Sequence, residues 1–206
     1  MAQYTRNPPL DASDLDRVPM QQLEHWIAAA REAGMIEPTA MTLATASAQG
    51  VPSARIVLYK GQHDGGPVFY SNYQSHKGRE LQENPHAALV FWWDRLERQV
   101  RIEGRVERLP RAMSDDYFKS RPFESQVSAA VSRQSQPVAS RDALDERMRA
   151  AEERARAEGI ECPAHWGGYC LRPTVVEFWQ GRHGRAHDRL CYRWMGEDWR
   201  IERLEP

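Results

Sequence analysis

The sequence predicts an α+β domain built around an antiparallel β-barrel. Between residues 39 and 107, five β-branched or aromatic runs follow one another at close spacing, broken by turn material such as Gln49-Gly50 and Asp64-Gly65-Gly66. Three more such runs close the chain after residue 173, so strands from both ends can complete one barrel. Helical stretches precede and separate these two blocks instead of alternating with single strands. With no glycine-rich dinucleotide fingerprint present, this argues against βαβ units.

The elements follow in order. Residues 1–18 are polar, contain proline and lack any period, and read as a mobile arm ahead of a single domain spanning 19–206. A helix over 19–33 is predicted by Pro19 at its first position, by the stripe Met20, Leu23, Trp26, Ile27 and Ala30, and by Gly34 as a stop. The runs TAMTLATAS, SARIVLYK, PVFYS, AALVFWW and RQVRIEGRVERL read as strands, with a short helix over 77–83 between the third and fourth. Phe91-Trp92-Trp93 reads as core, as aromatic strand residues usually are. Residues 110–158 turn helical. After Ser140, Leu144, Met148, Ala151 and Ala155 share one face, strong helix formers surround them, and Gly159 ends the segment. TVVEFWQ, RLCYRW and DWRIERL return to strand.

Composition narrows the function classes. The 206 residues are 41% hydrophobic and 28% charged, with a formal net charge of −1, a balance that argues against bulk nucleic-acid binding. No stretch approaches the roughly 20 apolar residues of a membrane helix, and the first residues lack the apolar segment of a signal peptide. Cys162, Cys170 and Cys191 have no metal-type spacing and read as free thiols of a cytoplasmic, metal-free protein.

Four groupings carry possible chemistry. Arg55-Ile56-Val57-Leu58-Tyr59-Lys60 bears two cations which, on a regular strand, emerge on opposite faces. Tyr70-Ser71 followed by Ser75-His76-Lys77 puts hydroxyls and a lysine at a helix start, a ready anion site. Tyr117, Lys119, Ser120, Arg121 and Ser125 again mix cations with hydroxyls, as a phosphate monoester requires. The last grouping runs from Phe178 and Trp179 through Arg182, His183, Arg185, His187 and Arg189. His183 and His187 have i, i+4 spacing, but the glycines around them oppose a helix and no carboxylate completes a zinc motif. Anion recognition or acid–base work fits this loop better.

From about residue 20 to the end, the chain resembles the pyridoxine/pyridoxamine 5′-phosphate oxidases. The resemblance is carried by PTAM at 38–41, RIVLYK at 55–60, VFYSN at 68–72, LERQV at 96–100 and YFKSRP at 117–122. It continues with SRQS at 132–135, HWGGY at 165–169, EFWQG at 177–181, RAHDR at 185–189 and the closing RLEP. It implies a split β-barrel homodimer with FMN at the subunit interface. By position, the implied FMN contacts are Arg55, Ile56, Val57, Leu58, Tyr59, Lys60, Tyr70, Ser71, His76, Lys77, Gln99, Gln134, Ser135, Trp179 and Arg189. The implied grip on the substrate phosphate is Lys60, Tyr117, Arg121 and Ser125, with Arg185 and His187 over the substrate ring as the catalytic pair.

The implied reaction oxidises the phosphorylated alcohol or amine to pyridoxal 5′-phosphate. The flavin takes up a hydride, dioxygen is reduced to hydrogen peroxide, and the amine route releases ammonia. Two departures stand out: His76 occupies a position where the family commonly has arginine, and the arm lacks the run that family members fold over the substrate, with Tyr4-Thr5-Arg6 as its remnant. The rival readings are a related FMN oxidase of phenazine type and a non-catalytic FMN or pyridoxal-phosphate binding protein. The phosphate set Lys60, Tyr117, Arg121 and Ser125 opposes the first; the retained Arg185 and His187 oppose the second.

Overall fold

A computed structural model describes Tyr4 and residues 6–206. Its nine strands are β1 (Ala40–Ala46), β2 (Pro52–Leu58), β3 (Gln62–His63), β4 (Gly66–Asn72), β5 (His86–Trp93), β6 (Arg98–Arg108), β7 (Trp166–Gln180), β8 (Asp188–Trp194) and β9 (Trp199–Arg203). All pairings are antiparallel, in the order β2-β1-β5-β6-β7-β4-β3, with β8 and β9 added on β7. The sheet closes on itself just past β2: the Lys60 N–H donates to Val68 O at 2.8 Å and the Val68 N–H to Gly61 O at 2.9 Å. The 15-residue β7 is the hinge of the barrel. Its first residues pair with β4 and its last with β8, so the wall splits along one strand.

The helices are α1 (Pro19–Glu32), α2 (His76–Glu83), α3 (Arg111–Ser120), α4 (Phe123–Val131) and α5 (Arg141–Glu158). Helix α1 buries the predicted stripe, Met20, Leu23, Trp26, Ile27 and Ala30, against inward residues of the barrel such as Leu43, Phe91, Val100 and Phe178. Trp26 meets Phe178 edge-on at 5.0 Å. The region predicted as helical from 110 breaks at Arg121-Pro122, because a residue before proline is driven out of the helical region; Arg121 sits at φ −75°, ψ 152°. Ser140 caps α5 by accepting from the Ala143 N–H at 3.1 Å, and Gly159 ends it at φ +82°.

Two expectations need correction. Phe91 and Trp93 are buried, but Trp92 between them is 45% exposed, since side chains alternate across a strand and only one face meets the core. The N-terminal arm, outside positions 1–3 and 5, which are not among the described residues, is tied down and not free. Leu10 is buried in the core, with its N–H on Asp188 Oδ2 at 3.0 Å and its carbonyl accepting from Arg203 Nη2 at 2.7 Å. Asn7 Nδ2 donates to Leu96 O at 2.9 Å, and Gln180 Nε2 to Pro8 O at 2.9 Å. These partners lie more than 80 residues away, so no local period announces them. No described helix is long and apolar enough to cross a membrane.

Candidate active site

A cavity of about 340 Å³ opens where β2, β4, α2, α3 and α4 meet. β2 and its exit supply Arg55, Ile56, Val57, Leu58 and Lys60; β4 supplies Tyr70 and Ser71; α2 supplies Lys77; Tyr117, Arg121, Gln134 and Trp166 complete much of the wall. Arg55 and Lys60 therefore share one cavity, contrary to the strand-alternation reading. The reason is local: β2 ends at Leu58 and the chain turns through Gly61 at φ +86°, so the alternation does not reach residue 60.

The end of the cavity near α2 is built for an anion. Lys77 is buried, and its Nζ reaches Gln134 Oε1 at 2.9 Å and Ser71 Oγ at 3.2 Å. Burial, reinforced by the Arg55 charge, pushes its pKa down to about 8. Ser75 caps α2 by accepting from the Gly78 N–H at 3.2 Å. Arg55 is held by the hydroxyls of Thr45 and Ser53, by Leu43 O at 3.2 Å and by Glu80 Oε2 at 3.2 Å. Glu80 went unnoticed in the sequence, where it looks like one more helix-surface charge; folded, it is 4% exposed. Its burial alone would raise its pKa, but hydrogen bonds from Thr45 and Ser53 and the charges of His76 and Arg55 hold it below the usual carboxylate range.

Other expected site residues stand apart from this cavity. Tyr59 turns into the core and its hydroxyl meets Glu24, so its side chain offers the cavity nothing. The His76 side chain faces Glu80 Oε1 at 3.4 Å, while its backbone N–H donates to Ser135 Oγ at 3.2 Å. Ser125 lies in the first turn of α4, its N–H on Pro122 O at 2.9 Å, and does not line the cavity.

A second group assembles on β5–β8. Trp92, Gln99, Trp179 and Arg189 are successive cross-strand partners, forming one row over four strands. His187 packs 4.6 Å from the Trp179 ring, and its Nδ1 accepts from the Arg182 N–H at 3.1 Å. Burial and then the Arg185 charge lower the His187 pKa. Arg189 is bound by Glu177, 2% exposed, through Nε at 2.8 Å and Nη2 at 3.1 Å. Glu177, like Glu80, is a buried carboxylate against a candidate-site arginine that no sequence signal singled out. Arg185 adopts φ +66° and Ser135 φ +70°, left-handed conformations that cost a non-glycine residue energy and concentrate at functional sites. None of Gln99, Trp179, Arg185, His187 or Arg189 lines the 340 Å³ cavity.

Residues 27–155 match the family model described as pyridoxamine 5′-phosphate oxidase, and residues 166–206 match the pyridoxine 5′-phosphate oxidase C-terminal dimerisation region. The chain belongs to the pyridoxine/pyridoxamine 5′-phosphate oxidase family. It is 51% identical over 201 residues to the pyridoxine/pyridoxamine 5′-phosphate oxidase of Cyanothece sp., covering 98% of this chain and 94% of that one. It is 54% identical over 191 residues to the enzyme of the same name from Salinibacter ruber, covering 91% and 89%. Among solved structures, PhzG from Burkholderia lata, in complex with tetrahydrophenazine-1-carboxylic acid, superposes with a TM-score of 0.88 at 31% identity, covering 94% of this chain and 95% of that one. A pyridoxamine 5′-phosphate oxidase-related, FMN-binding protein from Nostoc punctiforme shares the fold, with a TM-score of 0.73 at 17% identity over 87% and 95% of the two chains.

The oxidase family's cofactor, FMN, fits the residues present. The cavity lies within the roughly 300–1,000 Å³ typical of ligand sites. It offers a buried lysine, an arginine and hydroxyl and amide groups at one end, and Arg121 Nη1 is buried without a hydrogen-bond partner. This donor set suits phosphate.

Proposed function

We propose that this chain oxidises pyridoxine 5′-phosphate and pyridoxamine 5′-phosphate to pyridoxal 5′-phosphate, as an FMN-dependent homodimer with dioxygen as electron acceptor. One observation carries the reading: a single cavity gathers two cationic sets, Arg55 with Lys77 and Lys60 with Arg121. Two phosphorylated molecules, cofactor and substrate, need such a pair of sets. The FMN phosphate is assigned to Arg55, Ser71, Lys77 and Gln134 and the substrate phosphate to Lys60, Tyr117 and Arg121; His76, Ser135 and Ser125 do not line the cavity and are assigned as outer contacts of the same two groups. Gln99, Trp179, Arg185, His187 and Arg189 reach the same cofactor from the partner subunit. The C-terminal dimerisation match, the exposed Trp92 and the 64% exposed Ile56 on the cavity strand support this pairing of copies. Three free cysteines suit a reducing cytoplasm.

Bound FMN supplies the two-electron acceptor. This chain's own residues align the substrate and manage its charge. The phosphate grip anchors one end of the substrate, and Arg185 orients the ring and stabilises charge that develops on it. Because His187 Nδ1 accepts the Arg182 N–H, and burial with the nearby Arg185 disfavours the imidazolium, His187 is neutral with its proton on Nε2. It enters the site as a hydrogen-bond donor. Arg185→Ala is expected to lower kcat/KM by about ten- to hundredfold, the worth of one charge-assisted hydrogen bond. A steady-state value within twofold of wild type would remove the role.

The reading as a whole is tested by mixing FMN-loaded protein with pyridoxamine 5′-phosphate without oxygen and then admitting air. Flavin absorbance should bleach and recover, with aldehyde formed. Flavin that stays oxidised with both phosphorylated vitamers but bleaches with a reduced phenazine carboxylate would move the chain to the chemistry of its PhzG-like neighbour. Bound flavin that no substrate bleaches would mark a carrier.

A further inference from the structure

We propose that Trp166 is a positioning residue for the substrate phosphate: its ring face fixes the Arg121 guanidinium in the cavity wall, and this contact sets the preference for phosphorylated substrates. The inference rests on the reading of Arg121 as a phosphate ligand.

Arg121 Cζ lies 4.7 Å from the centroid of the Trp166 ring. Among the described residues Arg121 makes no ion pair with a carboxylate, and its Nη1 is buried without a hydrogen-bond partner. Buried polar atoms are satisfied in the great majority of cases, so the orphaned Nη1 leaves the guanidinium of Arg121, a residue of the cavity wall, with hydrogen-bonding capacity that no protein group uses. A cation without a carboxylate needs something else to hold it in place, and here that is an aromatic face. Trp166 is suited to the task because it is itself immobile. It is 6% exposed, pairs with Asn72 across the β4–β7 ladder, and meets Phe118 edge-on at 5.5 Å. Its carbonyl accepts from Arg111 Nη1 at 3.2 Å.

The ring also aligns its neighbours. Trp166 lies within 3° of the Tyr117 plane at 6.3 Å and within 16° of Tyr70 at 5.5 Å, and the two tyrosines stack at 3.8 Å. Three near-parallel rings thus form one wall of the cavity, with Arg121 against the tryptophan. A desolvated cation–π contact is the strong form of that interaction and outweighs what a solvent-exposed pair would contribute.

The test uses FMN-loaded enzyme, with pyridoxamine 5′-phosphate and unphosphorylated pyridoxamine as paired substrates and inorganic phosphate as inhibitor. Trp166→Leu should raise the KM for the phosphorylated substrate and the inhibition constant of phosphate about tenfold, with a much smaller change in kcat. The kcat/KM for pyridoxamine should not follow. In an Arg121→Ala background, Trp166→Leu should add nothing further, because its effect runs through the arginine. Equal losses on both substrates, or full additivity with Arg121→Ala, would reduce Trp166 to core packing and overturn the proposal. If Arg121→Ala alone leaves KM and phosphate inhibition unchanged, the reading of Arg121 itself fails. Should Trp166→Leu not fold, Trp166→Phe in the same two backgrounds decides: about a threefold rise in KM that disappears without Arg121 supports the proposal, and no such coupling sinks it.

Discussion

Lys77→Met is expected to weaken FMN binding by about ten- to hundredfold, the worth of one charge-assisted hydrogen bond to phosphate. It should also abolish a pH dependence that the wild type shows. The Lys77 ammonium is buried, and desolvation, with the Arg55 charge behind it, brings its pKa to about 8 in the apoprotein. A bound phosphate dianion favours the charged lysine. Below pH 8 the cation is already present and affinity is flat with respect to this group. Above pH 8 binding must take up a proton, so Kd rises with pH, by up to about tenfold per unit. The same shift has the opposite sign for the stability of the apoprotein. The folded pKa lies below the unfolded one, so between about pH 8 and the ordinary lysine range the unfolded chain binds more protons and stability rises with pH. Titrating apoprotein with FMN by flavin fluorescence at several pH values from 7 to 9.5 checks the affinity statement, and denaturant unfolding of the apoprotein over the same range checks the stability one. A wild-type Kd that does not change over that range would show that Lys77 does not carry the phosphate.

Gly78→Ala should lower stability by about 1–3 kcal/mol, the range for overpacking, and disable FMN binding with it. In most helices alanine is the better residue by about 1 kcal/mol, so the sign is reversed here. A Cβ on Gly78 would stand 2.1 Å from Tyr73 O and 2.9 Å from Asn72 O, both backbone atoms that cannot swing aside. Relief requires α2 to move away from the end of β4, and that movement carries Lys77 and the Ser75 cap off the phosphate position. Thermal melts and FMN titration of Gly78→Ala beside the exposed Gln82→Ala separate the cause: the control should change neither. A Gly78→Ala protein as stable as wild type with unaltered FMN affinity would show that the α2–β4 contact yields without consequence.

The sequence by itself determined the blocks of strand and helix, the α1 stripe, the α5 cap and stop, and the family, because each of these is local or is a string of neighbouring residues. Val68, Leu89 and Phe178 were legible as strand residues for the same reason. The phosphate clusters were legible as chemistry, since cations beside hydroxyls stand out in a line of text.

Only the tertiary structure decided which of them meet. Lys77, Gln134 and Ser71 converge across 63 residues of chain through side-chain contacts that no spacing encodes. Glu80 and Glu177 carry no functional signal in the line of sequence; burial places each against an arginine of the candidate site. Tyr59 left the cavity and Lys60 entered it because one turn at Gly61 ended the strand's alternation, a backbone event invisible to a period of two. The arm around Leu10 was held by partners at the far end of the chain. The separation of the Arg185–His187–Arg189 group from the cavity is likewise a property of packing, since the topology puts β7–β8 and the cavity strand β2 on different parts of one wall. Sequence patterns report the forces between near neighbours; a site assembled from distant segments is set by the long-range burial that brings those segments together.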